Sequence, residues 1–87
     1  MKHATPVVLD ALEPLLERLR KLDGLTERKR GVFYRRSSAF LHFHEDPAGF
    51  FADVRIGPAW QRLPATTAAQ RRALVDTVRK ELASARR

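Results

Sequence analysis

The stretch that decides the fold is Ala39-Phe40-Leu41-His42-Phe43-His44-Glu45-Asp46-Pro47-Ala48-Gly49-Phe50-Phe51-Ala52-Asp53-Val54-Arg55-Ile56. Asp46-Pro47-Ala48-Gly49 has the chemistry of a tight loop, with Pro presetting one backbone angle and Gly free to take a positive one. The residues on either side alternate in character, so the stretch predicts an antiparallel hairpin. If Glu45 stands opposite Phe50, then Phe43 faces Ala52, Leu41 faces Val54 and Ala39 faces Ile56, and one side of the hairpin is almost wholly apolar. The other side pairs His44 with Phe51, His42 with Asp53 and Phe40 with Arg55. Slipping the register by one residue would mix the two sets, so the hydrophobic pattern selects this parity.

The same reasoning extends toward the N-terminus. With Ser37-Ser38 as a two-residue loop, Arg36 opposes Ala39, Tyr34 opposes Leu41 and Val32 opposes Phe43, which continues the apolar side. Arg35 then lies beside Phe40, and Phe33 beside His42, on the reverse. The β region so defined runs from Gly31 to Leu63, and Gly57-Pro58 breaks it before a fourth strand around Trp60 to Leu63. Trp60 and Leu63 would fall on opposite faces of a regular strand, which leaves Trp60 free to plug an edge of the core instead.

Helices flank this region. Val8, Leu12, Leu15, Leu19 and Leu22 recur at spacings of four and three and form one stripe over residues 7–22. Thr5-Pro6 supplies an N-cap and first helical residue, and Asp23-Gly24 a stop. Pro14 either kinks this helix or moves its regular start to residues 11–14. At the other end Thr67-Ala68-Ala69-Gln70 matches a capping box, Leu74, Val75, Val78 and Leu82 form a stripe to Ser84, and Ala85-Arg86-Arg87 is expected to fray. Two amphipathic helices and one apolar sheet face predict an α+β two-layer sandwich: N-terminal helix, antiparallel meander of three to four strands, C-terminal helix, both helices on one face.

Eighty-seven residues make one small domain, 1–87. Absence of cysteine excludes disulfides, thiolate metal sites and cysteine nucleophiles. The chain carries 17 Lys+Arg against 10 Asp+Glu, a net charge of +7, but the basic pairs are scattered over several elements. That dispersal argues for ordinary surface charge over a dedicated polyanion site. No apolar run is long enough to span a bilayer and no signal-peptide pattern opens the chain, so a cytoplasmic location and no membrane partner are expected.

Attention then falls on the outer face of the sheet, where this register places Phe33, Arg35, Phe40, His42, Phe51, Asp53 and Arg55 as the candidate ligand-binding set. Phenylalanines beside arginines would stack on planar groups and hold phosphates, as single-stranded nucleic-acid binders do, and the same rings would suit a homodimer interface. His42 and His44, two apart on a strand, point the same way and could reach one metal ion with Asp53 or Asp46 as a third ligand. His3 is left out of this set because it stands at a terminus expected to be mobile. Pairing of His42 with Asp53 would raise the imidazole pKa. A hydrolase triad lacks its nucleophile, since Ser37 and Ser38 lie at the far end from His44 and Tyr34 points to the core.

Gly31-Val32-Phe33-Tyr34-Arg35-Arg36, with Ala39 to Asp46 and Phe51 to Arg55, looks like a pattern found in short bacterial proteins of uncharacterised activity. The helix, sheet, helix order also resembles small α-β-α domains of the YjbR and frataxin-like type, with a weaker likeness to the small domain labelled "luciferase family". The resemblance implies a bacterial origin and a fold; it carries over no catalytic residue and no cofactor. The expectation is therefore a noncatalytic binding or interaction module working through the outer face. The alternative is a metal-binding protein or metal-dependent enzyme using His42, His44 and Asp53.

Overall fold

The computed structural model describes residues 2–84, and its elements follow in the order β1 (Lys2–His3), α1 (Pro6–Arg20), β2 (Thr26–Lys29), β3 (Val32–Arg35), β4 (Ser38–Asp46), β5 (Gly49–Ile56), β6 (Ala59–Pro64) and α2 (Ala68–Ser84). All strand pairings are antiparallel in the order β2-β3-β4-β5-β6, and β1 adds to β4 beyond the end of β3. Both helices pack on one face of this sheet, as the apolar stripes require. The sheet has six strands rather than three to four. The two additional ones escaped the pattern for a physical reason: Thr26-Glu27-Arg28-Lys29 is a mostly exposed edge strand with no apolar alternation, and Lys2-His3 is too short to carry any.

The central hairpin has the register that its alternation demands, with Leu41 opposite Val54, Phe43 opposite Ala52, Glu45 opposite Phe50, and His42 opposite Asp53. The first hairpin does not. Its turn is Arg36-Ser37, with Arg36 at φ 57°, so Arg35 pairs with Ser38 and Tyr34 with Ala39. A bulge at Phe40 then inserts one residue, and Phe33 faces Leu41 while Val32 faces His42. Parity is inverted along β3. Phe33 and Phe40, expected on the outer face, are 1% and 2% exposed in the core. Val32 and Tyr34, expected inward, line the outer side beside His42. The inversion buries a phenyl ring and leaves the tyrosine beneath the Arg28 guanidinium, 4.3 Å from the ring centroid.

Helix α1 runs unbroken through Pro14, whose side chain is on the exposed side where water can satisfy the carbonyl that loses its donor. Thr5 caps it by accepting from the Val8 N–H, and Leu12, Leu15, Leu16 and Leu19 are buried. Helix α2 begins with the expected reciprocal cap: the Gln70 N–H donates to Thr67 Oγ1 at 3.1 Å and the Thr67 N–H to Gln70 Oε1 at 3.0 Å. The expected fraying of Ala85 to Arg87 lies outside the described residues. Between them the helices bury Leu74, Val75, Val78 and Leu82 of α2 and the α1 leucines against Phe33, Leu41, Phe43, Ala52 and Val54. β6 is regular from Ala59 to Pro64, with Leu63 opposite Ala52 and Trp60 opposite Arg55. Trp60 therefore stands on the outer face, 43% exposed, and plugs no core edge.

A candidate metal centre on the outer sheet face

Strand alternation sends His42 and His44 outward while Phe43 between them goes into the core. The third imidazole comes from the start of the chain. β1 pairs His3 directly with His44, and Lys2 with Glu45, so the His3 side chain shares their face. Residues 2–5 are tied to β4 by hydrogen bonds and an ion pair. The Ala4 N–H donates to the Phe43 carbonyl at 3.2 Å, and Glu45 Oε2 accepts from both the backbone N–H (3.3 Å) and the hydroxyl (3.2 Å) of Thr5. Lys2 Nζ lies 3.5 Å from Glu45 Oε1. The Thr5 backbone N–H, helped by its hydroxyl and by Lys2, outweighs burial and holds the Glu45 carboxyl below its ordinary pKa.

The three rings form a cluster. The His3 ring stacks on that of His44 with centroids 4.9 Å apart, and His42 meets His44 edge-on at 4.9 Å. One ligand nitrogen from each of His3, His42 and His44 lies within 4.8 Å of the others. His44 is only 9% exposed, and Nδ1 of His42 and both ring nitrogens of His44 are buried without a hydrogen-bond partner. Leaving a buried polar atom unpartnered costs about 1–3 kcal/mol, so the cluster favours a group that can accept these lone pairs.

β5 and β6 build the other wall. Asp53 sits opposite His42 in register, but its carboxylate reaches His44: Oδ2 is 2.8 Å from Nε2, close enough for an ion pair yet out of line for a hydrogen bond. Arg62, opposite Asp53 on β6, clamps the same carboxylate with Nε to Oδ1 at 2.8 Å and a terminal nitrogen to Oδ2 at 3.0 Å. Burial works to raise the Asp53 pKa, but the Arg62 clamp and the neighbouring imidazoles prevail and hold it below the ordinary carboxylate value. The His42 pKa is lowered, first by burial and then by the repulsion of His44, both outweighing the pull of Asp53. The expected raised value is thereby corrected: the carboxylate that would charge His42 spends its contacts on Arg62 and His44. The Trp60 ring lies 5.2 Å from His42 and shelters it on the β6 side.

Of the residues singled out from sequence, His42, His44 and Asp53 meet here, with Phe51 opposite His44. Arg35 and Arg55 lie at the Ser38 end of β4, around a separate cleft with Phe40. His3, Trp60 and Arg62 were missed. A two-residue strand leaves no periodic signal, and the partners of Asp53 become visible only once β6 is in register. Three imidazoles without any thiolate suit zinc, copper, nickel or cobalt, and a three-nitrogen set leaves positions open for a further ligand. A carboxylate touching the non-coordinating side of a ligand imidazole fixes the ring and raises its basicity. Comparison with protein-family models, curated proteins and solved structures finds no match for the chain.

Proposed function

We propose that the protein binds a divalent transition-metal ion through His3, His42 and His44, with Asp53 and its Arg62 clamp positioning His44. The observation that carries this reading is the convergence of three imidazole donors within 4.8 Å, in a spot where His42 Nδ1 and both His44 nitrogens lack partners. An ion would take His42 Nδ1 and one nitrogen of His44, leaving the Nε2 of His44 to face the Asp53 carboxylate. The lowered pKa of His42 supports it, because only the neutral ring has a lone pair to give. Calorimetric titration with zinc and with copper(II) tests the reading on wild type, His42→Ala and His44→Ala. Tight one-to-one binding lost in both variants is expected, and binding equal in all three chains would refute it.

A second reading, an interaction module on the same face, is supported by the exposed Trp60 and by half-buried Phe51 further along that face, beyond Asp53 and Arg62. A second copy of the chain covering that face would show as concentration-dependent oligomerisation weakened by Trp60→Ala. The nucleic-acid version loses two of its three rings, since Phe33 and Phe40 are core residues.

A further inference from the structure

Beside the imidazole cluster, between the start of α1 and the β2-β3 turn, lies a cleft of about 390 Å³ whose wall includes His3 and His42. Leu9, Val32, Tyr34 and Ala39 make that wall largely apolar, and Lys29 and Arg30 stand at it as well. The lining contains no carboxylate. Arg30 is engaged by Asp10 at 2.7 Å and Glu13 at 2.8 Å, whereas Lys29 has no acidic partner among the described residues. Tyr34 is held in place beneath Arg28.

We propose that this cleft takes a small apolar carboxylate, whose anionic head completes the coordination of an ion held by the three histidines and whose tail lies along Leu9, Val32, Tyr34 and Ala39. The inference rests on the metal-binding reading and adds the class of ligand. Three neutral imidazoles leave the ion its full positive charge, and Arg62 already neutralises Asp53. Lys29 adds to the excess, so an anion is the matching head group. The tail follows from the lining, and the volume is at the small end for ligand pockets, which fits a chain of a few carbons.

Cobalt(II) serves as the probe ion because its visible bands report changes in coordination. The cobalt-loaded full chain is titrated with hexanoate, with acetate (head without tail) and with 1-hexanol (tail without head). Each buried methylene is worth about fourfold in affinity, so burying two of the four that distinguish hexanoate from acetate predicts about fifteenfold tighter binding. Hexanol leaves the bands unmoved. Ala39→Phe fills the cleft away from the imidazoles; it should keep the cobalt bands and bring hexanoate down to the acetate level. Lys29→Glu, on an exposed edge strand, should weaken hexanoate severalfold with the metal still bound. Hexanoate binding no better than acetate, or unaffected by both substitutions, overturns the cleft proposal while leaving the metal centre standing. Absence of cobalt bands in the wild type refutes the metal centre itself, and the cleft proposal with it.

Discussion

Removal of His3 separates a three-histidine centre from an accidental pair on β4. The donors now lie within 4.8 Å of one another, whereas tetrahedral zinc with bonds of about 2.0–2.1 Å holds its nitrogens about 3.4 Å apart, so the widest gap must close by up to about 1.4 Å. His42 and His44 belong to a strand paired on both sides, so the movement falls to His3, on a two-residue exposed strand. Loss of a supporting residue around a bound metal costs about 10–100-fold in affinity, and loss of a ligand should reach at least the top of that range. With free zinc at 100 times the wild-type Kd, binding stabilises the fold by about 2.7 kcal/mol; with Kd raised about 100-fold the gain falls to about 0.4 kcal/mol. For a domain of this size that is a zinc-induced rise in Tm of about 11–22 °C in wild type against about 2–3 °C in His3→Ala. Thermal melts at pH 7.5 with and without zinc measure it. Because His3 is exposed, the metal-free melts should nearly coincide, within about 0.5 kcal/mol. A full zinc shift in His3→Ala would refute the placement of β1 in the site; no shift in either chain would refute the centre.

Acidification should destabilise the metal-free protein in two separate windows. The folded pKa of His42 lies below the ordinary 6.5, so its contribution is complete above that value and is lost as pH falls from there toward the folded value. The Asp53 contribution persists to about its ordinary 3.8 and fades only below, through its depressed folded pKa. The urea midpoint should drop between pH 8 and 5.5, less so in His42→Gln, and a midpoint that rises on acidification contradicts the burial argument. Asp53→Asn, which keeps shape but removes charge, should weaken zinc binding by about 10–100-fold in calorimetry; unchanged affinity would remove Asp53 from the centre. Phe33→Ala should cost about 3–5 kcal/mol in denaturant unfolding. Tyr34→Ala should cost clearly less, and the opposite order would restore the regular register of β3.

The central hairpin was legible because its two faces differ so sharply in polarity. Leu41, Phe43, Ala52 and Val54 tolerate only one parity against two apolar helices, and that parity places His42 opposite Asp53. Both helices were equally readable, from the spacing of their leucines and valines and from the Thr67-Gln70 cap. β3 was not. A single bulge residue at Phe40 changes which face every earlier side chain takes, and bulges leave no mark on composition.

The sequence by itself determined the α+β layering, the core face of the central hairpin and the shared orientation of His42 and His44, since each follows from periodicity within a few neighbouring residues. Only the tertiary structure decided that β1 brings His3 to His44, that Arg62 clamps Asp53, and that Trp60 shelters His42. These contacts join residues on separate strands, and His3 is brought to His44 from the start of the chain. Strand pairing creates them, and no local pattern of polarity encodes which distant strand will lie alongside.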